Sequence, residues 1–182
     1  LVESNYTKNA VTFIGRNLKH RFPISVGVNV KKRLTDRWGI ETGLVYSYLE
    51  SSGDLDAEYT YRYKQKIHYL GIPLNLSYSL YQNKRLDIYL QGGGMAEMAL
   101  SAHGYTRIFN HGVFASDIDD KLPASGVLWS VGLGAGISFV QNFGLYLEPG
   151  ANYYFPNSNQ PRSYRTDNPW SFNVRVGFRF KF

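Results

Sequence analysis

Large apolar residues occupy every second position in the last fourteen residues of the chain. The even-numbered positions from Trp170 to Phe182 are Trp, Phe or Val, and smaller or polar residues stand between them. A period of two is typical of a β-strand with one apolar and one polar face. Because the apolar face is bulky and uncharged, the pattern favours a strand that lies between hydrocarbon and a polar lumen.

Six further segments alternate in the same way, and none shows a helical period over more than a few residues. We predict strands near residues 22–34, 38–49, 66–80, 86–100, 127–140, 143–155 and 169–182. The alternation therefore predicts an all-β fold, an antiparallel up-and-down transmembrane β-barrel that forms one domain over residues 1–182.

Short and long connections alternate along the predicted strands. The short ones are 35–37, 81–85 and 141–142, and the long ones are 51–65, 101–126 and 156–168. Bacterial outer-membrane barrels have short periplasmic turns and long outer loops. This pattern predicts a location in the bacterial outer membrane with the C-terminus in the periplasm.

The strand count leaves one strand to be found. The first clear strand, 22–34, and the last, 169–182, both run towards the end with the short turns. Antiparallel closure requires an even number of strands. We therefore expect eight strands, with the first in residues 1–16 or upstream of Leu1, and residues 1–21 mostly in an outer loop.

The polar faces of the predicted strands carry charges of both signs: Lys31, Arg33, Glu41, Asp87, Glu97, Glu148, Arg175, Arg179 and Lys181. The interior of an eight-stranded barrel is just wide enough to be filled by side chains. Buried charges must pair, and Glu148 and Arg175 lie on neighbouring strands. We predict a lumen closed by a charge network; a narrow ion path is the alternative.

Aromatic residues concentrate near the strand ends on the apolar face, whereas the strand centres carry mainly Val, Leu, Ile and Ala. Such a distribution predicts a girdle at the membrane interfaces, with Trp38, Tyr46, Tyr48, Trp129, Tyr153 and Trp170 as its members.

Composition narrows the possible chemistry. The 182 residues include no Cys, and the net charge of +6 is spread along the chain. This argues against disulfides, Cys-ligated metal and a nucleic-acid partner. No His has the spacing of a common metal site and no GxSxG occurs. Ser77 or Ser79 with His68 resembles only weakly the Ser/His pair of lipid-modifying hydrolases. We predict no catalytic residue, metal or cofactor.

Four segments carry a family resemblance: 36–44, 68–74, 129–132 and 144–155. They resemble the outer-membrane β-barrel ("porin family") proteins of Bacteroides and relatives, which are similar in fold to small OmpA-type barrels. The resemblance implies contact with outer-membrane lipid and lipopolysaccharide. It also implies that the terminal Phe182 is recognised by the barrel-assembly machinery. In some members the barrel is the C-terminal domain of a longer anti-sigma-like chain.

The leading functional hypothesis is a membrane anchor, surface-interaction or signalling module that acts through its long outer loops. The segment 59–63 is a candidate β-ribbon beyond the membrane, where protein partners would bind. A soluble lipocalin-like carrier is the alternative, since alternation alone does not distinguish the inside of a barrel from its outside. A lipid-modifying enzyme is the third possibility.

Overall fold

The computed structural model describes residues 18–56, 59–122, 124–139, 143–156, 158–160 and 163–182. The prediction of an all-β fold is confirmed. The strands are β1 Lys19–His20, β2 Ile24–Arg33, β3 Trp38–Asp56, β4 Thr60–Gln82, β5 Leu86–Asn110, β6 Val113–Lys121, β7 Val127–Phe139, β8 Phe143–Tyr154 and β9 Trp170–Lys181. A single-turn helix, α1 Tyr164–Asp167, precedes β9. No helix in these ranges is long and apolar enough to cross a membrane.

Seven of the strands form a closed ring in the order β3-β2-β9-β8-β7-β5-β4, and β4 pairs with β3. Every pair in the ring is antiparallel except β2 with β9. In this parallel pair Ile24 lies opposite Val174 and Lys31 opposite Lys181. The strands β1 and β6 lie outside the ring, where β1 pairs with β3 and β6 pairs with β5.

The expected antiparallel closure of eight strands differs from the ring that the described residues form. Seven strands of alternating direction leave the first and the last running the same way. A ring that closes directly between them must therefore contain one parallel pair, and β2 with β9 is that pair. The expected eighth strand in residues 1–16 or upstream falls outside the described residues.

The sheet extends further than predicted at the end with the long connections. Residues 51–56 and 60–65 continue β3 and β4, and the segment predicted as a loop at 101–126 contains the end of β5 and all of β6. The antiparallel ladder between β3 and β4 keeps one register up to the pair Asp56–Thr60. We call the projecting part (residues 49–56, 60–67, 101–110 and β6) the loop-end ribbon.

The ring is apolar outside and polar inside. Along β2 the four apolar residues are all exposed, while Ser25, Asn29 and Lys31 are buried. The same pattern, which is the reverse of an ordinary globular core, is found on β9, where Phe172, Phe178 and Phe180 face outward. Folding thus buries charge in the lumen and leaves a continuous apolar belt around it.

Candidate functional site

The lumen contains tiers of paired charges, and the first tier lies at the end with the short turns. Asp87 on β5 accepts hydrogen bonds from Lys181 at 2.6 Å and from Lys31 at 3.3 Å. The two lysines stand side by side because the parallel register brings Lys31 next to Lys181. One carboxylate thereby serves two cations that would otherwise repel each other.

The second tier is centred on Arg179. Its guanidinium lies 2.7 Å from Glu41 and 3.2 Å from Glu148, and all three side chains are buried. The rings of Tyr89 and Tyr146 lie 4.4 and 4.6 Å from the guanidinium carbon. At this height two carboxylates and two aromatic faces surround a single cation.

A small polar cavity lies above Arg179. Arg175, which is directly opposite Glu148 in the β8–β9 ladder, forms an ion pair with it at 2.9 Å. The side chains of Arg175, Asn75, Gln91, Ser130 and Asn152 line the cavity, and each has one buried polar atom without a protein partner among the described residues. The space is about the size of one water molecule, and polar atoms of this kind commonly bind buried water.

The third tier comes from a loop instead of a strand. Arg165, in α1, places its guanidinium on Glu97 deep in the mouth of the barrel, where the two side chains are 1% and 0% exposed. The rings of Tyr69 and Tyr154 lie 5.5 and 5.0 Å from the guanidinium carbon. Ser163 caps the helix and thereby fixes the direction in which Arg165 points.

An apolar cap covers the third tier at the base of the loop-end ribbon. It consists of Leu49, Ile67, Ala102 and Leu128, with Tyr164 of α1 packed against them. Gln160 fastens the same loop by accepting from Tyr69 and by donating to the carbonyl of Ser125. Charged tiers and an apolar cap therefore lie at several heights along the lumen.

The structure brings most of the predicted charge network together. Lys31, Glu41, Asp87, Glu97, Glu148, Arg175, Arg179 and Lys181 are all buried in the lumen. Arg33 is the exception, because it is the last residue of β2 and lies exposed at the rim. Sequence reasoning missed Arg165, whose loop carries no periodicity from which to infer its direction.

The predicted aromatic residues lie on the outer face at both ends of the belt. Trp38 packs edge-on against Tyr78 at 5.0 Å near the short turns. Tyr153 packs against Trp170 at 5.3 Å near the long connections, on the same side as the exposed Trp129. Tyr46 and Tyr48 lie at that end too, and both contact the ring of His68.

The separation of the aromatic groups matches the thickness of a membrane. On β3, Trp38 and Tyr48 mark the two ends of the belt. Ten residues span about 33 Å of strand, which a tilt of about 40° reduces to about 25 Å. The apolar band of an outer-membrane barrel is about 25 Å tall.

A sequence model of the family described as "Outer membrane protein beta-barrel domain" matches residues 3–159. The chain belongs to this family. Comparison with curated proteins and with solved structures gave no match. The match supports a barrel embedded in the outer membrane, and the apolar belt is the surface that such a barrel presents to lipid.

The polarity of this outer-membrane barrel does not favour the lipocalin-like carrier. A carrier of that kind encloses an apolar cavity and shows a polar face to water. Here the enclosed side chains include Lys31, Glu41 and Arg179, and the outer face shows Leu133 and Trp170 at 74% and 71% exposure. The cavity beside Arg175 is polar and about the size of one water molecule, so it has no room for an apolar ligand.

The Ser–His pair considered for a lipid-modifying enzyme does not form in the barrel. Ser77 and Ser79 are buried on the lumen side of β4, whereas His68 is directed to the outer face. Residues of odd and even number point to opposite sides of a strand. Within the described residues, no group of three His, Asp or Glu side chains is placed to hold a metal ion.

The loop-end ribbon carries charged residues on its outward face. Glu50 accepts a hydrogen bond from Tyr48 and pairs with Arg21 at 3.4 Å and Lys64 at 3.6 Å. Burial alone would raise the pKa of Glu50, but the Tyr48 hydrogen bond and the two cations outweigh burial and hold the pKa below its ordinary value. At neutral pH the Glu50 carboxylate is therefore ionised, and its ion pairs link Arg21 and Lys64 at the base of the ribbon.

Proposed function

We propose that this barrel is a closed membrane anchor that presents the loop-end ribbon on the bacterial surface as an interaction module. The observation that carries the proposal is the combination of a filled lumen with strands that continue past the aromatic girdle. A pore would need an open path, and a bare anchor would not need four strands beyond the membrane.

The tiers support a lumen that does not conduct ions. Arg179 is bonded to Glu41 and Glu148, and Arg165 is bonded to Glu97 further up. An ion would have to separate both groups of buried, paired charges, which is energetically costly. Purified protein in planar bilayers is expected to give no discrete current steps. Regular steps of constant conductance would overturn the closed-lumen part of the proposal.

The ribbon supports a role in contacts with other proteins. Its outward face offers the exposed Tyr105 and Phe114, and Arg62 lies over the ring of Phe109 at 5.3 Å. Val113 is also exposed, at the β5–β6 hairpin. Tyr and Arg are enriched in protein interfaces. A signalling role within a longer chain, which the family resemblance also implies, would use the same ribbon.

The proposed orientation places the ribbon outside the cell and Phe182 in the periplasm, where the assembly machinery would bind it. Because the chain has no Cys, single-Cys variants report accessibility directly. Asn110→Cys at the tip of the β5–β6 hairpin is expected to react with a membrane-impermeant maleimide on intact cells. Asn83→Cys, in a short turn, is expected to react only after permeabilisation. The opposite result would reverse the orientation.

We propose no enzymatic activity for the barrel. The buried hydroxyls of Ser77 and Ser79 lack a histidine within reach, since His68 is on the other face of β4. Hydrolysis of a labelled phospholipid by the purified protein, lost in a His68→Ala variant, would contradict this.

A further inference from the structure

Three basic side chains form a row across the base of the loop-end ribbon. His103 on β5 lies opposite Lys66 of β4 and opposite Lys121 of β6 in the two ladders. Because adjacent strands are about 4.8 Å apart, the row is about 10 Å wide. All three residues belong to the outward face of the ribbon, and we call them the basic row.

The basic row lies directly above the apolar belt. Leu70 on β4 and Met98 and Leu100 on β5 are exposed below it. From Leu100 to His103 is about 10 Å along the strand. An amphiphile with its acyl chains against these apolar residues would hold its headgroup at the height of the row.

The surroundings of the basic row leave an excess of positive charge. Glu50 is shared between Arg21 and Lys64. Asp119 lies 3.5 Å from His103, and Lys66 lies 5.9 Å from the centre of the Tyr105 ring. The permanent charges on the outward face at this height are five cations against two carboxylates: Lys19, Arg21, Lys64, Lys66 and Lys121 against Glu50 and Asp119. Asp120 lies opposite the buried Gly104 and is directed to the other face of the ribbon.

We propose that the basic row binds the phosphate groups of an anionic lipid in the outer leaflet. Lys66 and Lys121 would supply charge, and His103 between them would donate a ring N–H. The acyl chains would lie on Leu70, Met98 and Leu100. This inference rests on the proposed function, because it needs the ribbon to stand above the outer leaflet.

The test compares two lipids that differ only in phosphate. The protein is reconstituted into phosphatidylcholine vesicles that contain either lipid A or the same lipid without its phosphates. The readout is the temperature at which the SDS-resistant band is lost on a gel. Lipid A is expected to raise this temperature by about 3–5 °C for the native protein, because a ligand that binds only the folded state stabilises it.

Two double variants locate the effect. Lys66→Ala with Lys121→Ala should abolish the rise. Arg62→Ala with Arg107→Ala is the matched control, because this pair faces the same way four residues higher and removes the same charge; it should keep the rise. The proposal is overturned if the rise survives in the first variant, if the control loses it equally, if inorganic phosphate reproduces it, or if the native protein shows none. Absence of any SDS-resistant band in phosphate-free vesicles would instead contradict the proposed membrane barrel.

Discussion

Breaking the ion pair that holds α1 in the barrel mouth tests how the lumen is closed. Arg165→Met removes the guanidinium and leaves Glu97 buried without its cation. The methionine side chain is long and flexible enough to remain between Tyr69 and Tyr154. The change therefore removes the charge with little loss of packing.

The expected loss follows from what happens to Glu97. Removing one partner of a buried ion pair lowers stability by about 3–5 kcal/mol, because the other charge stays buried. Here the loss has a ceiling, since α1 is a single turn and can leave the mouth and let water reach the carboxylate. We therefore expect about 3 kcal/mol for Arg165→Met, at the low end of that range. Glu97→Gln should cost a similar amount, because it leaves Arg165 buried without a counter-charge.

The double variant shows whether Arg165 and Glu97 stabilise the barrel as a pair. With both Arg165→Met and Glu97→Gln in place no charge remains to be stranded, and stability should return to within about 1 kcal/mol of native. Urea unfolding of the protein in lipid vesicles, followed by tryptophan fluorescence, measures all four species. If the two single losses simply add in the double variant, the pair does not interact and α1 is held by its apolar contacts alone.

Three further predictions concern the parallel β2–β9 pair, which we call the seam, the loop-end ribbon and the C-terminal residue. A Cβ at Gly177 would collide with the backbone of Gly27, so Gly177→Val should abolish SDS resistance, whereas Gly94→Ala, where the new Cβ meets only an ordinary contact, should keep it. The pKa of Glu50 is lowered in the folded state, so the ionised carboxylate stabilises the fold fully above its ordinary pKa of 4.5, and this contribution is lost as the pH falls below that value. Glu50→Gln should therefore flatten the acid limb of a curve of stability against pH. An unchanged acid limb would contradict this. Phe182→Ala should lower the yield of folded barrel in cells but leave refolding in detergent unchanged, because the terminal residue bonds through its backbone; an equal loss in both assays would argue against a recognition role.

The alternation of residues predicted the part of the fold that depends on which face a residue occupies. It assigned the ring strands, the inward direction of the charges except Arg33, and the neighbouring positions of Glu148 and Arg175, because each follows from a period of two. The length of the ribbon had a signal too, since Tyr61 and Tyr63 continue the inward parity of β4 into the predicted loop.

What sequence reasoning missed depends on tertiary contacts. Arg165 lies in a stretch without periodicity, and only the docking of α1 over Glu97 gives it a place in the lumen. The pairing of β2 with β9 is likewise a matter of register between segments that are far apart in the chain. Neither has a local signature, so neither follows from propensity or spacing.

The parallel seam explains why the lumen charges are distributed as they are. Lys31 and Lys181 face each other across it, and Arg175 and Arg179 lie on its β9 side. Glu41 and Asp87 stand on β3 and β5. Each ion pair between a seam cation and one of these carboxylates therefore ties β2 or β9 to another wall of the barrel. Since parallel pairing is slightly weaker per residue than antiparallel pairing, these ties should contribute strongly to holding the seam closed.

Removing the carboxylate of the first tier should therefore loosen the seam itself. Asp87→Asn leaves Lys31 and Lys181 side by side without a counter-charge, and their repulsion acts directly across the β2–β9 pair. The SDS-resistant band should be lost at a lower temperature than in Asp36→Asn, which removes a carboxylate from an exposed turn. A cysteine pair at Val26 and Val176 should also cross-link more slowly in the Asp87→Asn background. Equal behaviour of the two Asp variants would mean that the ladder alone closes the ring.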